Sequence, residues 1–537
     1  MGSRTNATSM WTVLTSPVYA VLFCATVLSN IGTWMHEVGA SWLMTELSAD
    51  PTKIAMIQTA VALPIFLFAL PAGALADLVD RRKLLVVINL LACFIAIGLG
   101  AVIHVGIISP WILISFTFAL GISAAFIAPA WQAIVPNLVD RSQLSEAVAL
   151  NGVGINISRA IGPAIAGVLI VSFGIQAPFW LNAVSYLFII CALLWWSPPN
   201  QKKHGLPTEH VVPAIVSGLR YARHSIPLRN TLVRAVAFFL AASAFWALLP
   251  LIVSHQMKAD VSLYGTATAL IGVGALFGAF LMPRLKVYME PSSMLLVATI
   301  IDAGIFVVLA LTFTTTSLLV SCFTFGASWI IALANLNVSA QTSLPNWVRA
   351  RGLSIFLMVF FGAMSLGSII WGNVASALPL AQTLMIAGGI LVIGALATIR
   401  NRLNLGDDRD LEPSLHWPTP KLANGLGEAP ASLDQGPVMV TIEYYVNKQD
   451  WRDFKTSIQQ LGVARKRYGA YEWGVFQDTA NPNRFLEYFF ESSWLHHLQH
   501  HEHTSEEDRQ QQIIVNQFHE KSEPPLVSHF LSASSDA

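Results

Sequence analysis

The chain has 537 residues, of which 54% are apolar and only 12% charged, and its formal net charge is zero. That balance excludes an ordinary soluble domain, and it offers no basic surplus for binding nucleic acid. The four cysteines (Cys24, Cys93, Cys191, Cys322) lie in apolar stretches without CxxC spacing, so they read as small buried hydrophobes rather than disulfides or metal ligands.

A helix needs roughly 20 mostly apolar residues to cross a bilayer, because lipid offers backbone N–H and C=O groups no partner. The first such segment covers about 17–41 and lacks a small-residue cleavage pattern, so no signal peptide is expected. Residues 54–76 carry no charge, and 84–139 contain no Asp, Glu, Lys or Arg, enough for two spans with a turn at 108–110. Residues 160–200 hold two more, divided around Gly174. From Ala235 the pattern resumes, with breaks near Lys258, 284–290, 314–317, 349–351 and 377–379. The expected count is twelve spans.

Alternate loops carry Arg81, Arg82 and Lys83; Arg141; Lys202, Lys203, Arg220 and Arg223; Arg284 and Lys286; Arg349 and Arg351; then Arg400 and Arg402. The intervening loops offer only Lys53 and Lys258. The positive-inside rule then puts both termini in the cytoplasm. The chain also repeats itself. Gln132-x3-Pro136-Asn137-x-Val139 returns as Gln341-x3-Pro345-Asn346-x-Val348, each at the end of the fourth span of its half. The expected layout is therefore a six-helix bundle over 1–200, a cytoplasmic loop over 201–228 and a second bundle over 229–402. Two such halves form a transporter plan, with the substrate site between them near the midplane.

Charge at bilayer depth is costly, so each ionisable group there is a functional candidate. His36 and Glu37 fall in span one, Arg159 in span five, Arg234 at the start of span seven and Asp302 in span nine. Glu37 is the first choice for a proton-coupling carboxylate; the alternative is that it and His36 sit solvated at the outer interface. Asp302 reads either as a second proton carrier or as the structural partner of a basic residue. Arg159 reads as a counter-charge for an anionic substrate or for a carboxylate. Trp34, Trp131, Trp246 and Trp329, with Phe245 and Phe361, are candidates to line an aryl-binding cavity or to pack between helices.

Between spans two and three stands GALADLVDRRKLL, residues 73–85. Through Gly73, Leu75, Asp77, Arg81 and Arg82 it resembles the signature loop of the major facilitator superfamily, with Leu78 and Asp80 departing from the pattern. The resemblance implies a cytoplasmic gate in which Gly73 admits a close helix and Asp77 pairs with a cation or a helix N-terminus. The second-half equivalent, from Gly278, lacks the acid. In span five, SRAIGPAIAG (158–167) is similar to the superfamily's exporter motif, with Gly162, Pro163 and Gly167 allowing a kink and tight packing. Together with residues 30–47 and the whole layout, these motifs resemble the bacterial secretion-type, enterobactin-exporter-like branch. That likeness implies export across the bacterial inner membrane.

After Arg402 the composition changes. Residues 403–437 read as a Pro/Gly/Asp-rich linker, and 438–537 as a β-α-β-β-α-β ferredoxin-like domain. Arg467-Tyr468-Gly469-Ala470, Trp473 and Ser493-Trp494-x2-His497 resemble the dimeric α+β barrels of the antibiotic-biosynthesis-monooxygenase type, which implies a homodimer through this domain. Five histidines, His496, His497, His500, His501 and His503, stand on its second helix, read as one helix through Phe518. Trp494 and Leu498 give that helix a core face. The i,i+4 histidine pairs could chelate, but nothing nearby completes a ligand set, so no metal is expected and the histidines read as solvated or dimer-facing.

The expected class is thus an all-α membrane protein with twelve transmembrane helices in two pseudo-symmetric six-helix halves, plus a C-terminal α+β ferredoxin-like soluble domain. The expected function is proton-coupled export of small amphipathic molecules, siderophore-like or drug-like, with protons, substrate and the lipid bilayer as partners. No catalytic residue, cofactor or nucleic acid is expected. The alternatives are a nutrient importer, or a bifunctional protein whose tail is a cofactor-free monooxygenase.

Overall fold

The computed structural model describes residues 10–140, 143–197, 211–345, 347–403, 410–414 and 435–532, without the side chains of 10, 11, 74, 76–78, 145 and 211–215. The first six spans are α1 (Pro17–Leu47), α2 (Pro51–Leu78), α3 (Arg81–Val105), α4 (Pro110–Ile134), α5 (Leu144–Phe173) and α6 (Ala177–Trp195). A shorter helix, α7 (Val211–His224), stands within the segment read as a loop. Six more spans follow: α8 (Ile226–Leu251), α9 (Val261–Tyr288), α10 (Pro291–Leu311), α11 (Thr315–Thr342), α12 (Arg349–Ala377) and α13 (Leu380–Ala397). Among the described residues, twelve helices are long and apolar enough to cross a membrane.

Local chemistry sets where these helices start and stop. Ser16, Asp50 and Ser109 each accept a backbone N–H at a helix start whose first residue is proline, the position where a missing N–H costs nothing. Asp80, which departs from the expected motif, serves as the N-cap of α3 by accepting the Lys83 N–H at 3.0 Å. Gly106 ends α3 with φ of 78°, a left-handed conformation that glycine adopts without strain.

The chain divides into two compact units: one of residues 1–206, 232–337 and 356–403, the other of residues 207–231, 338–355 and 404–537. In the first, the two halves meet most closely where α5 crosses α9. A Cβ on Gly272 would lie 2.6 Å from the Ala160 Cα, and one on Gly265 would lie 2.9 Å from the Pro163 oxygen and 3.0 Å from the Gly167 Cα. Gly162 meets α1 in the same way, 2.6 Å from the Trp34 Cβ. Small residues let backbones touch, which is how helices associate without a hydrophobic driving force. The start of α2 also meets the end of α12: the Thr52 and Ser376 hydroxyls are 2.8 Å apart, and Ser376 donates to Asp50 at 3.3 Å.

The second unit contains the tail. Its strands β1 (Val438–Tyr445), β2 (Tyr471–Gln477), β3 (Arg484–Glu491) and β4 (Leu526–Leu531) form an antiparallel sheet in the order β2-β3-β1-β4. Helix α14 (Trp451–Tyr468) follows β1. The histidine-bearing stretch is two helices rather than the one expected, α15 (Trp494–His503) and α16 (Glu506–Asn516). Ser505 makes the break: its hydroxyl accepts the Asp508 N–H, and three acidic residues fill the first turn of α16, where the helix dipole favours them. In the same unit α7 packs on α14, Arg220 donates to the Gly469 carbonyl at 3.0 Å and Arg351 to the Ser217 hydroxyl at 2.9 Å.

Apolar side chains of β1 and β3 pack with Phe454, Ile458, Leu461, Trp494 and Val515 to form the tail's core. A buried polar network runs through it. Glu487 accepts the Trp473 indole N–H at 2.9 Å and the Tyr444 hydroxyl at 3.1 Å, and lies 3.5 Å from the Arg465 guanidinium. Burial, then the neighbouring Glu487 charge, push the Tyr444 phenol well above its ordinary range, so it stays a donor. Removing one partner of a buried ion pair strands the other charge and costs about 3–5 kcal/mol. Glu487→Ala is therefore expected to speed amide exchange throughout β1, β3 and α14 of the intact protein; unchanged protection would show the network to be dispensable.

Candidate substrate cavity

Five membrane helices surround one cleft in the first unit. Trp34, Glu37, Val38 and Ser41 come from α1, Ile57, Gln58 and Val61 from α2, and Arg159 and Pro163 from α5. The other half contributes Trp246 and Leu249 of α8 and Tyr264 and Thr268 of α9. The cleft encloses a volume of about 30 Å³, and the space around it, open solvent included, comes to about 520 Å³. Helical spacing explains the α1 set, since residues 34, 37, 38 and 41 share a face.

Its electrostatics rest on two groups. Glu37 and Arg159 line the same cleft and interact as opposite charges. The Arg159 guanidinium lies over the Trp34 ring, 5.2 Å from its centroid, and its Nε is buried without a hydrogen-bond partner. The Trp246 indole N–H is likewise buried and unpartnered. Tyr264 stacks on Trp42 at 5.9 Å. The arrangement offers a cation, a carboxylate and two indole faces to an aromatic or amphipathic guest with polar groups.

Other sequence candidates lie elsewhere. His36 is buried against Phe179 of α6, edge-on at 5.2 Å, with both ring nitrogens unpartnered. Asp302 is fully buried, and its partner is the Ser328 hydroxyl of α11 rather than a basic residue. Trp329 packs among Phe239, Phe325 and Trp246, behind the cavity wall, and Trp131 packs against the cluster around Tyr19 and Ile134. Arg234 lines a separate small cavity with Thr299 and Thr398.

The signature loop is partly described. Arg81 donates to the Ala133 carbonyl at 2.9 Å, and Arg82 to the Leu193 and Leu194 carbonyls at 2.7 Å each. Both cations thus satisfy the C-terminal carbonyls of α4 and α6, where the helix dipole favours positive charge. The Asp77 side chain lies outside the described residues. Gly73 corrects an expectation: among the described residues a Cβ there would meet nothing within 4 Å, so none of them makes the close approach expected at this glycine. Close approach belongs instead to Gly162 and Gly167 and to Gly265 and Gly272. The last two went unread, although their seven-residue spacing puts them on one helix face.

A twelve-helix membrane protein whose two halves share a polar, aromatic-lined cavity defines a transporter. The chain matches the transmembrane secretion effector family over residues 8–537 and belongs to that family of the major facilitator superfamily. Similar relatives include the staphyloferrin A transporter of Staphylococcus aureus, 24% identical over 68% of this chain and 91% of that one. The multidrug efflux pump Tap of Mycolicibacterium fortuitum is 25% identical over 72% and 96%, and the enterobactin exporter EntS of Shigella boydii is 24% identical over 71% and 91%. Among solved structures, a mutant of the nucleoside transporter NupG has a TM-score of 0.61 at 12% identity, covering 72% of this chain and 99% of that one. A bacterial homologue of the lysosomal transporter Spinster has a TM-score of 0.58 at 15% identity, covering 72% and 96%. Both share the fold.

The glycine seam makes a specific prediction. Gly272→Leu forces a side chain into the α5 backbone, an overpacking that costs about 1–3 kcal/mol. A lower melting temperature and loss of substrate movement are expected, and parent-like values for both would show that α5 and α9 do not meet so closely.

Proposed function

We propose that this protein is a proton-coupled exporter of small amphipathic, aromatic or siderophore-like molecules, working by alternating access in a bacterial inner membrane with both termini cytoplasmic. The observation that carries it is the shared cleft lined by Glu37, Arg159 and the indoles of Trp34 and Trp246. Glu37 takes the proton on one side of the cycle; losing its charge frees Arg159 to hold an anionic group of the substrate. The relatives whose names include a siderophore transporter, a siderophore exporter and a multidrug pump support this substrate class. The polar groups at the centre of the tail bond to one another, which supports a regulatory or dimerising role for it rather than an enzyme.

Inside-out vesicles test the coupling directly. With an acid interior, accumulation of a catecholate siderophore or a lipophilic drug is expected, and Glu37→Gln is expected to abolish the gradient dependence while leaving exchange of preloaded substrate. Equal accumulation with the gradient reversed or removed would overturn proton-driven export.

With both termini cytoplasmic, the start of α2 and the end of α12 belong to the outer face, where Thr52 meets Ser376. Cysteines at both positions, in a background lacking Cys24 and Cys191, are expected to cross-link on oxidation, stop transport, and recover it on reduction. Full transport by the cross-linked protein would place the outer gate elsewhere.

A further inference from the structure

The five histidines of α15 have separate roles. His496 bonds to Ser492, His503 stacks on Trp347 at 4.4 Å, and His500 bonds to Glu491 and stacks on Tyr468 at 5.2 Å. His497 and His501, one turn apart, meet a third histidine, His529 of β4. Ring centroids are 4.6 Å apart for His497 and His501 and 4.7 Å for His497 and His529. One nitrogen from each of the three lies within 4.8 Å of the others. The sheet register explains the meeting. His529 pairs with Val440, a core residue, and paired residues of antiparallel strands point to the same face. That face is the one α15 covers.

His497 supplies an independent sign that a ligand belongs there. Its side chain is only 3% exposed, and its Nδ1 lies 2.6 Å from Oε2 of Glu491, whose side chain is 2% exposed. An ionised carboxylate only accepts, so Nδ1 carries the hydrogen, and in the neutral ring Nε2 then keeps its lone pair. That Nε2 is buried and, among the described residues, has no hydrogen-bond partner. A histidine whose N–H is held by a carboxylate while its other nitrogen stands bare is the arrangement metal-binding histidines use.

The geometry points to a divalent transition-metal site of the zinc class, held by His497, His501 and His529, with Glu491 orienting His497 and a fourth position open to water or another donor. Three imidazoles suit zinc and its transition-metal neighbours and disfavour magnesium and calcium, which prefer oxygen. Tetrahedral zinc–nitrogen bonds hold ligand atoms about 3.4 Å apart, a contraction from the present spacing that small ring rotations supply. The sequence hides this site because its third ligand lies beyond α16, on another element. Binding would pin β4, an edge strand with β1 as its one neighbour in the sheet, to α15.

The test uses the full chain in detergent, purified without a polyhistidine tag, stripped with chelator and titrated with Co²⁺ and then Zn²⁺. One Co²⁺ per chain is expected, with the visible absorption of a four-coordinate centre, displaced by Zn²⁺, which also slows amide exchange across residues 526–531. His501→Gln and His529→Gln should each weaken binding at least about tenfold. His496→Gln and His503→Gln should leave it unchanged. Metal-free amide exchange in β1 and β3 reports whether each variant keeps its fold. Only weak, six-coordinate Co²⁺ binding, or tight binding that survives His529→Gln in a folded protein, would overturn the site.

Discussion

Lipid supplies no hydrogen bonds, and nearly every feature of the first unit follows from that. Backbone groups must pair within their own helix, which fixes twelve spans. Any charge kept at depth needs a partner or a wet cavity. Asp302 satisfies one oxygen with the Ser328 hydroxyl. Arg159 rests on the Trp34 ring, and Glu37 opens onto the same cleft. The same constraint acts at the helix ends, where Arg81 and Arg82 reach the last carbonyls of α4 and α6.

The seam between α5 and α9 then decides where the cavity sits. With glycine at 265 and 272 the two backbones touch, and nothing larger fits between them. Pro163 and Arg159 lie on α5 at that crossing, and Tyr264 and Thr268 lie on α9, so close contact brings lining groups from both halves to one place. A transporter needs such a contact to be tight yet separable, and backbone packing against small side chains has few interlocking groups to break.

How far the sequence could be read depended on how local each signal was. The spans, the internal repeat and the four strands of the tail were legible because long apolar runs and alternation report on their own surroundings. Glu37 and Arg159 stood out as charges in apolar context, yet nothing in the chain said that they share a cleft. Trp131 and Trp329 carried the same signal as Trp34 and Trp246, and only tertiary packing separates them. Ser505 with Asp508 was a readable helix start that was passed over, and the single helix drawn through it was wrong for that reason. His497 and His500 were read as solvated or dimer-facing, but their hydrogen bonds to Glu491, from a strand ending just before α15, carry them inside. Partners supplied by another element are what a single sequence conceals.

The second unit joins segments that the sequence reading kept apart. The helix α7, the residues between the end of α11 and the start of α12, and the ferredoxin-like tail form one compact body. Tyr221 of α7 donates to the Ser343 carbonyl, and Trp347 packs against Tyr221, Tyr468 and His503. Residues 338–355 are covalently continuous with α11 and α12, so a movement of those helix ends has to be borne by this body. By thermodynamic reciprocity, a ligand that binds the tail differently in two arrangements of those ends must bias the arrangements by the same free energy. The network around Glu487 is buried and mutually satisfied, the condition under which polar groups stiffen a core rather than weaken it.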